Sequence, residues 1–284
     1  MGTTEGTSFC HLASEALLQL EGIDAKKFLQ GQTTADFDTA VAGDVLAGAF
    51  CDVKGRVLAD FLAAIISDSL ILLRLDQGIC EQLINRLKPY LMFSKSTLTH
   101  TDTRIFGATT AEPVSLNITD QFSRQGDAVV LQRDNIHAEF WLLDSQGEMP
   151  PVTTALEYWQ RASILRGEAR ISLDTVGKYL PQDLNYDLNG WVNFKKGCYT
   201  GQEIIARLHY RGKPKRRLVI AHYDGVSPMQ PGTALYTAER AQAVGSVVNA
   251  AMIDQQQWLL IECIENGLSL GLGAKDDGTQ LTPL

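Results

Sequence analysis

Three apolar runs set close together constrain this chain most: residues 45–51, 56–66 and 70–75. The turn-forming segments Asp52-Val53-Lys54-Gly55 and Ser67-Asp68-Ser69 separate them. The first two runs read as a hairpin whose Gly55 is free to take positive φ, and the third as a strand that turns back. Asp76 suits the N-cap of a helix that carries Ile79, Cys80, Leu83, Ile84 and Leu87 on one face and stops at Pro89. A strand over 16–20 and a short helix through Ala25, Phe28 and Leu29, capped by Asp24, come before the hairpin. Further strands are expected near 96–109, 127–132 and 136–143. Strands, a helix and then more strands give an α+β chain rather than a doubly wound sheet.

Pro150-Pro151 breaks this pattern. A helix is expected after it, with Thr154 and Glu157 as a capping box and Ala155, Tyr158, Trp159, Ala162 and Leu165 at helical spacing. Gly167 ends it, and residues 168–193 are irregular. Beyond Pro214 the texture changes to short strand-like runs over 218–223, 232–236, 243–252, 258–262 and 268–272. That spacing reads as a small all-β module, a barrel. The expected division is 8–213 as an α+β region and 214–284 as the barrel.

At 284 residues, 45% apolar and 20% charged, the chain can bury a sizeable core. No apolar run approaches the roughly 20 residues that a membrane helix needs. The polar N-terminus lacks the pattern of a secretory signal. The five cysteines, Cys10, Cys51, Cys80, Cys198 and Cys263, are scattered and form no C-x-x-C pair. This argues against a disulfide framework or a zinc site, and a cytoplasmic protein without membrane contact is expected. No phosphate loop or dinucleotide glycine pattern is present.

The net charge is −8, yet residues 195–217 hold eight lysines and arginines against the single acid Glu203. Such a segment is either a solvated basic loop or a seat for an anionic ligand. Within it, Thr200 and Glu203 have the spacing of a capping box, and Tyr199 and Ile204 that of a hydrophobic staple. A helix is therefore expected from Gly201 to about Tyr210. Cys198 then lies just outside the helix N-terminus behind Lys195 and Lys196, where dipole and ammonium groups would stabilise a thiolate. Two readings of Cys198 stay open: a functional thiol, or a small apolar residue packed beside the staple. Glu203, Arg207 and Arg211 can share a face, as an ordinary ion pair or as a fork for a carboxylate or phosphate. The Asp52, Lys54 and Arg56 turn is either solvated or part of a binding site. Trp159 is either core or a platform for a flat heterocycle.

At Lys196-Gly-Cys-Tyr-Thr-Gly-Gln-Glu203 the sequence resembles the YgfZ family of folate-binding proteins, in the superfamily of the glycine-cleavage aminomethyltransferase, or T-protein. Similar segments stand in the family order: Phe28–Asp36, Cys51–Arg56, Phe93–Lys95, Tyr179–Asn185 and Tyr210–Arg216. The resemblance implies a T-protein-like ring of α+β domains around a central channel, with a C-terminal β-barrel. It implies tetrahydrofolate, or a one-carbon derivative, as ligand. It further implies support of iron–sulfur enzyme assembly or repair, indirectly including tRNA thiolation, with iron–sulfur client or assembly proteins as partners. By position, Cys198 and Lys196 are the candidate functional thiol and its signature lysine. Trp159, Asp52, Lys54, Arg56, Gln202, Glu203 and Arg207 are candidate folate contacts. The stretch Leu12–Leu17 lacks a tryptophan that the family carries, and Leu165 stands where aminomethyltransferases have a carboxylate. The alternative is a folate-dependent aminomethyl transferase. Against it, Gly55-Arg-Val-Leu-Ala-Asp60 keeps only Asp60 of the acidic pair of those enzymes. Direct nucleic-acid binding through 207–217 is not expected, given the overall acidity and the lack of an RNA-binding motif.

Overall fold

Strands dominate the first half of the chain. A computed structural model describes residues 6–111, 122–144, 150–225, 227–238, 240–274 and 280–284. Two units emerge, interleaved along the sequence: residues up to Gly48 with Ala59–Leu156 and Lys195–Tyr199, and Ala49–Leu58 with Glu157–Phe194 and Thr200–Leu284.

Apart from residues 49–51 and 57–58, which fall in the second unit, the first unit draws on β1 (Thr7–His11), β2 (Glu15–Gly22), α1 (Ala25–Gln32), β3 (Val45–Cys51), β4 (Val57–Ser67), β5 (Leu70–Asp76), α2 (Cys80–Leu91), β6 (Ser96–His100), β7 (Arg104–Thr110), β8 (Phe122–Gln125), β9 (Ala128–Gln132) and β10 (His137–Leu142). They make two five-stranded sheets, ordered β3-β4-β5-β2-β6 and β1-β7-β10-β9-β8. Residues 59–65 of β4 are buried without a break, so both faces of this strand are covered. Arg74 of β5 reaches Glu139 of β10, with Nη2 2.6 Å and Nε 3.0 Å from the carboxylate oxygens. The indole Nε1 of Trp141 donates to the same carboxylate, and Glu15 lies 3.5 Å from Arg74. A buried fork of this kind fixes how the two sheets meet, since a slipped register would strand the charges.

The expected strand over 96–109 is two strands in different sheets. β6 pairs with β2, while β7 pairs with β1 and β10. Between them the Thr101 amide donates to Leu17, and its hydroxyl binds that of Thr103, which turns the chain from one sheet to the other. Helix α2 runs two residues past Pro89 to Leu91 rather than stopping there. In the last turn, a missing N–H removes only one hydrogen bond. Strands β1 and β8 lie outside the expected strand runs.

The second unit holds α3 (Leu156–Leu165), α4 (Gln202–Arg211), β11 (Arg216–Tyr223), β12 (Ala234–Leu235), β13 (Gly245–Ile253), β14 (Gln256–Ile264) and β15 (Thr282–Pro283). Its sheet has the order β12-β13-β14-β11-β15 and closes over Ala221, Tyr223, Leu235, Val247, Leu259, Ile261 and Leu272. Asp254 and Gln255, at φ 49° and 65°, form a two-residue turn between β13 and β14, flanked by the Ile253–Gln256 pair. The run 268–272 is no strand. A single 3-10 turn covers Leu268–Leu270, and Gly271 at φ 71° ends it. Helix α3 begins at Leu156, one residue beyond the start set by a Thr154 cap. It buries Trp159 and Ile164 while Tyr158 and Leu165 are exposed. Residues 168–193 contain only one 3-10 turn, Pro181–Leu184. They are fixed by Tyr186, which donates to Ala169 and stacks on Trp191.

Candidate functional site

Helix α1 ends in a loop that would otherwise leave its last carbonyls unpaired. Thr33 turns the chain away, its amide and its hydroxyl both donating to Leu29. The Gln30 side chain then organises the loop through Phe37, donating to Asp36 and accepting from the Phe37 amide. Into this concave backbone comes Lys196. Its ammonium donates to the carbonyls of Gln30 at 2.9 Å, Thr33 at 2.7 Å and Ala35. Three N–H bonds meet three acceptors at the negative end of a helix, so the cation is matched in number and in sign. Lys196 is 7% exposed. Burial pushes its pKa down to about 8, while the carboxylates of Asp36 and Asp38 pull it back up.

Beside the expected tuning of Cys198, Lys196 has a structural role. Every N–H of its ammonium is directed at the α1 loop, so the lysine anchors the segment that presents the cysteine. Tyr199, also buried, lies under the same ammonium at 5.1 Å. Between these two anchored residues, Gly197 and Cys198 face solvent. Cys198 is the one exposed cysteine; the other four are buried. Burial raises Cys10 and Cys263 to about 11, Cys80 to about 12 and Cys51 further. The reading of Cys198 as packing beside a staple therefore does not hold.

Helix α4 starts at Gln202 with Gly201 as N-cap at φ 85°. Thr200 is thus one position too early for the expected capping box, and Ile205, not Ile204, is the buried fourth residue. The reason is steric. A methyl group on Gly201 would press on the Asp52 carbonyl and come within 3.0 Å of the Gly55 Cα. Only glycine lets the hairpin tip between β3 and β4 lie against the start of α4. From the other side, a Cβ at Gly55 would meet Ile205 at 3.2 Å and Ile204 at 3.3 Å.

The tip is itself built by Asp52. Its Oδ1 accepts from the amides of Lys54 and Arg56, both at 2.8 Å, and its carbonyl accepts from Gly55. Arg56 Nη1 donates to the Lys178 carbonyl at 2.8 Å and lies 3.8 Å from Asp183. The structure thus brings Lys54, Gln202 and Glu203 into one neighbourhood and commits Asp52 and Arg56 to shaping it. Arg207 comes one turn along α4, exposed. No ion pair joins it to Glu203 among the described residues. Trp159 is 8% exposed, with the Arg166 guanidinium 5.5 Å over its ring, so it offers no open platform.

The basic segment divides likewise. Arg217 forks on Asp187 at 2.6 and 3.0 Å, and Arg216 binds Glu262 at 3.1 Å, so both fix the fold. A contact that sequence reasoning missed is the stack of Phe194 on His209, with ring centroids 3.6 Å apart. Among the described residues there is no group of His, Cys, Asp and Glu that could hold a metal ion, and no helix long and apolar enough to cross a membrane.

No protein-family model matches the chain. Over 241 residues it is 28% identical to the tRNA-modifying protein YgfZ of Colwellia psychrerythraea, covering 79% of this chain and 74% of that protein. Over 259 residues it is 29% identical to an uncharacterized protein of Haemophilus influenzae, covering 90% and 88%. Among solved structures, the glycine cleavage system aminomethyltransferase T of Bartonella henselae superposes with a TM-score of 0.72 at 14% identity. That superposition covers 99% of this chain and 86% of the other, which makes the α+β fold the same.

Proposed function

We propose that this chain, which is similar to a YgfZ protein in sequence and to an aminomethyltransferase T in fold, binds tetrahydrofolate and supports the assembly or repair of iron–sulfur enzymes, tRNA-modifying enzymes among them. The observation that carries this reading is the presentation of Cys198. A single exposed thiol is held out between Lys196, locked onto the end of α1, and the buried Tyr199. Such placement suits a thiol that meets a partner or a ligand.

The residues at the hairpin tip and on α4 fit the anionic part of a folate. Lys54 and Arg207 are exposed cations suited to the carboxylates of its glutamate tail. Gln202 and Glu203 supply an amide and a carboxylate at the first turn of α4 for the neutral donors and acceptors. Asp52 and Arg56 are positioning residues that hold the turn carrying Lys54. Trp159 contributes by packing α3 beneath Arg166. When bound, tetrahydrofolate supplies one-carbon carrier chemistry at its nitrogens. The protein's part is to bind, orient and keep the thiol accessible.

Aminomethyl transfer is the less favoured reading. Asp60, which remains from the acidic pair of those enzymes, is only 1% exposed within β4. The test is complementation of a strain that lacks its own YgfZ-type protein, read as the activity of an iron–sulfur enzyme. Cys198→Ser should fold with unchanged thermal stability and restore less than a tenth of the activity. Full restoration would remove the thiol from the proposal.

A further inference from the structure

Of the eight basic residues between 195 and 217, Lys196, Arg216 and Arg217 are tied into the fold. Arg211, Lys213 and Lys215 are different: all three are exposed, and none has an ion-pair or hydrogen-bond partner among the described residues. Three unneutralised cations within five residues repel one another, in a protein whose net charge is −8. An arrangement of this kind gains energy when a polyanion covers it.

Aromatic rings lead directly into these charges. Phe194 and His209 stack with centroids 3.6 Å apart and planes 13° apart, and Tyr210 stands edge-on to His209 at 4.8 Å. Tyr210 is 67% exposed. An exposed ring propped against a rigid pair of rings, directly before the cations, is more than phosphate or carboxylate binding requires. Bases supply the flat partner that such a ring lacks, and a phosphate backbone supplies the charge.

We propose that the C-terminal end of α4, with Tyr210, Arg211, Lys213 and Lys215, is a binding surface for single-stranded RNA. Its phosphates lie along the three cations and a base stacks on Tyr210. The net acidity of the chain does not oppose this, because charges beyond a Debye length of about 8 Å are largely screened at physiological salt.

The test is fluorescence anisotropy of a labelled oligouridylate of about 12 nucleotides, titrated with the full chain at about 50 and 200 mM KCl. Saturable binding that weakens with salt is expected. The Arg211→Ser/Lys213→Ser/Lys215→Ser variant should bind at least about ten times more weakly, with the log–log salt slope reduced by about 2, at roughly 0.7 per cation removed. Tyr210→Ala should weaken binding about fivefold or more with the slope unchanged. Thermal unfolding of these variants should match the parent. No saturable binding at the lower salt, or a triple variant that binds like the parent, overturns the proposal. So does full affinity in Tyr210→Ala combined with displacement by poly-L-glutamate, which would assign the surface to an acidic polypeptide.

Discussion

Lys196 is the residue on which the site rests, and its identity is dictated by three carbonyls. Methionine has similar length and apolar character but would leave Gln30, Thr33 and Ala35 without the donor they share. Lys196→Met should therefore lower the unfolding free energy by about 2–4 kcal/mol, read from denaturant midpoints at pH 7. The sign of the pH dependence comes from a folded-state value of about 8, below the roughly 10.4 of an unfolded lysine. Between these values the unfolded chain binds more protons, so the Lys196 contribution rises with pH across that window. The parent should gain on the Lys196→Met variant by up to about 3 kcal/mol between pH 7.5 and pH 10. A difference that stays flat would mean that the ammonium is not desolvated. None of this was legible in the sequence. Lys195 and Lys196 look alike there, and only contacts across more than 160 positions separate the exposed lysine from the buried one.

At the scale of elements, local signals served well where local forces decide. The run 45–51 is β3 to the residue, whereas Asp76 caps the 3-10 turn Gln77–Ile79 by accepting from the Gly78 amide, and α2 itself begins after Ile79. They failed by one position where a distant backbone intrudes. The start of α4 is set by the hairpin tip pressing on Gly201, so Thr200 loses the cap that its spacing suggests. They failed outright over 96–109, where uniform β propensity hides a switch between sheets that only pairing partners reveal. Asp24 shows a subtler case. It occupies the cap position of α1, but its carboxylate accepts from the Lys95 amide instead of the helix. The turn between β13 and β14 offers a clean test of local backbone cost. Gln255 holds φ 65°, a conformation that costs a side-chain-bearing residue about 1 kcal/mol. Gln255→Gly should raise stability by about 0.5–1 kcal/mol in chemical unfolding; a loss would show that the Gln255 side chain makes a contact that matters more.

For the whole molecule, the sequence carried the α+β class and the family resemblance further than it carried individual site contacts. The motif 196–203 marked the right segment, because its glycines and its lysine answer steric and electrostatic demands that admit few substitutes. It could not show that Asp52 and Arg56 build the turn, or that Arg166 covers Trp159, since those facts depend on which side chains the fold satisfies first. The proposed function has one centre: an exposed thiol in the segment leading into α4, a helix that carries the exposed Arg207. Isothermal titration of the purified chain with tetrahydrofolate, under reducing and anaerobic conditions, tests it most directly. The account predicts saturable binding at sub-millimolar ligand, weakened about tenfold in Arg207→Gln through loss of a charge-assisted contact. Absence of saturable heat for the parent, or affinity equal to the parent's in both Arg207→Gln and Lys54→Gln, would contradict it.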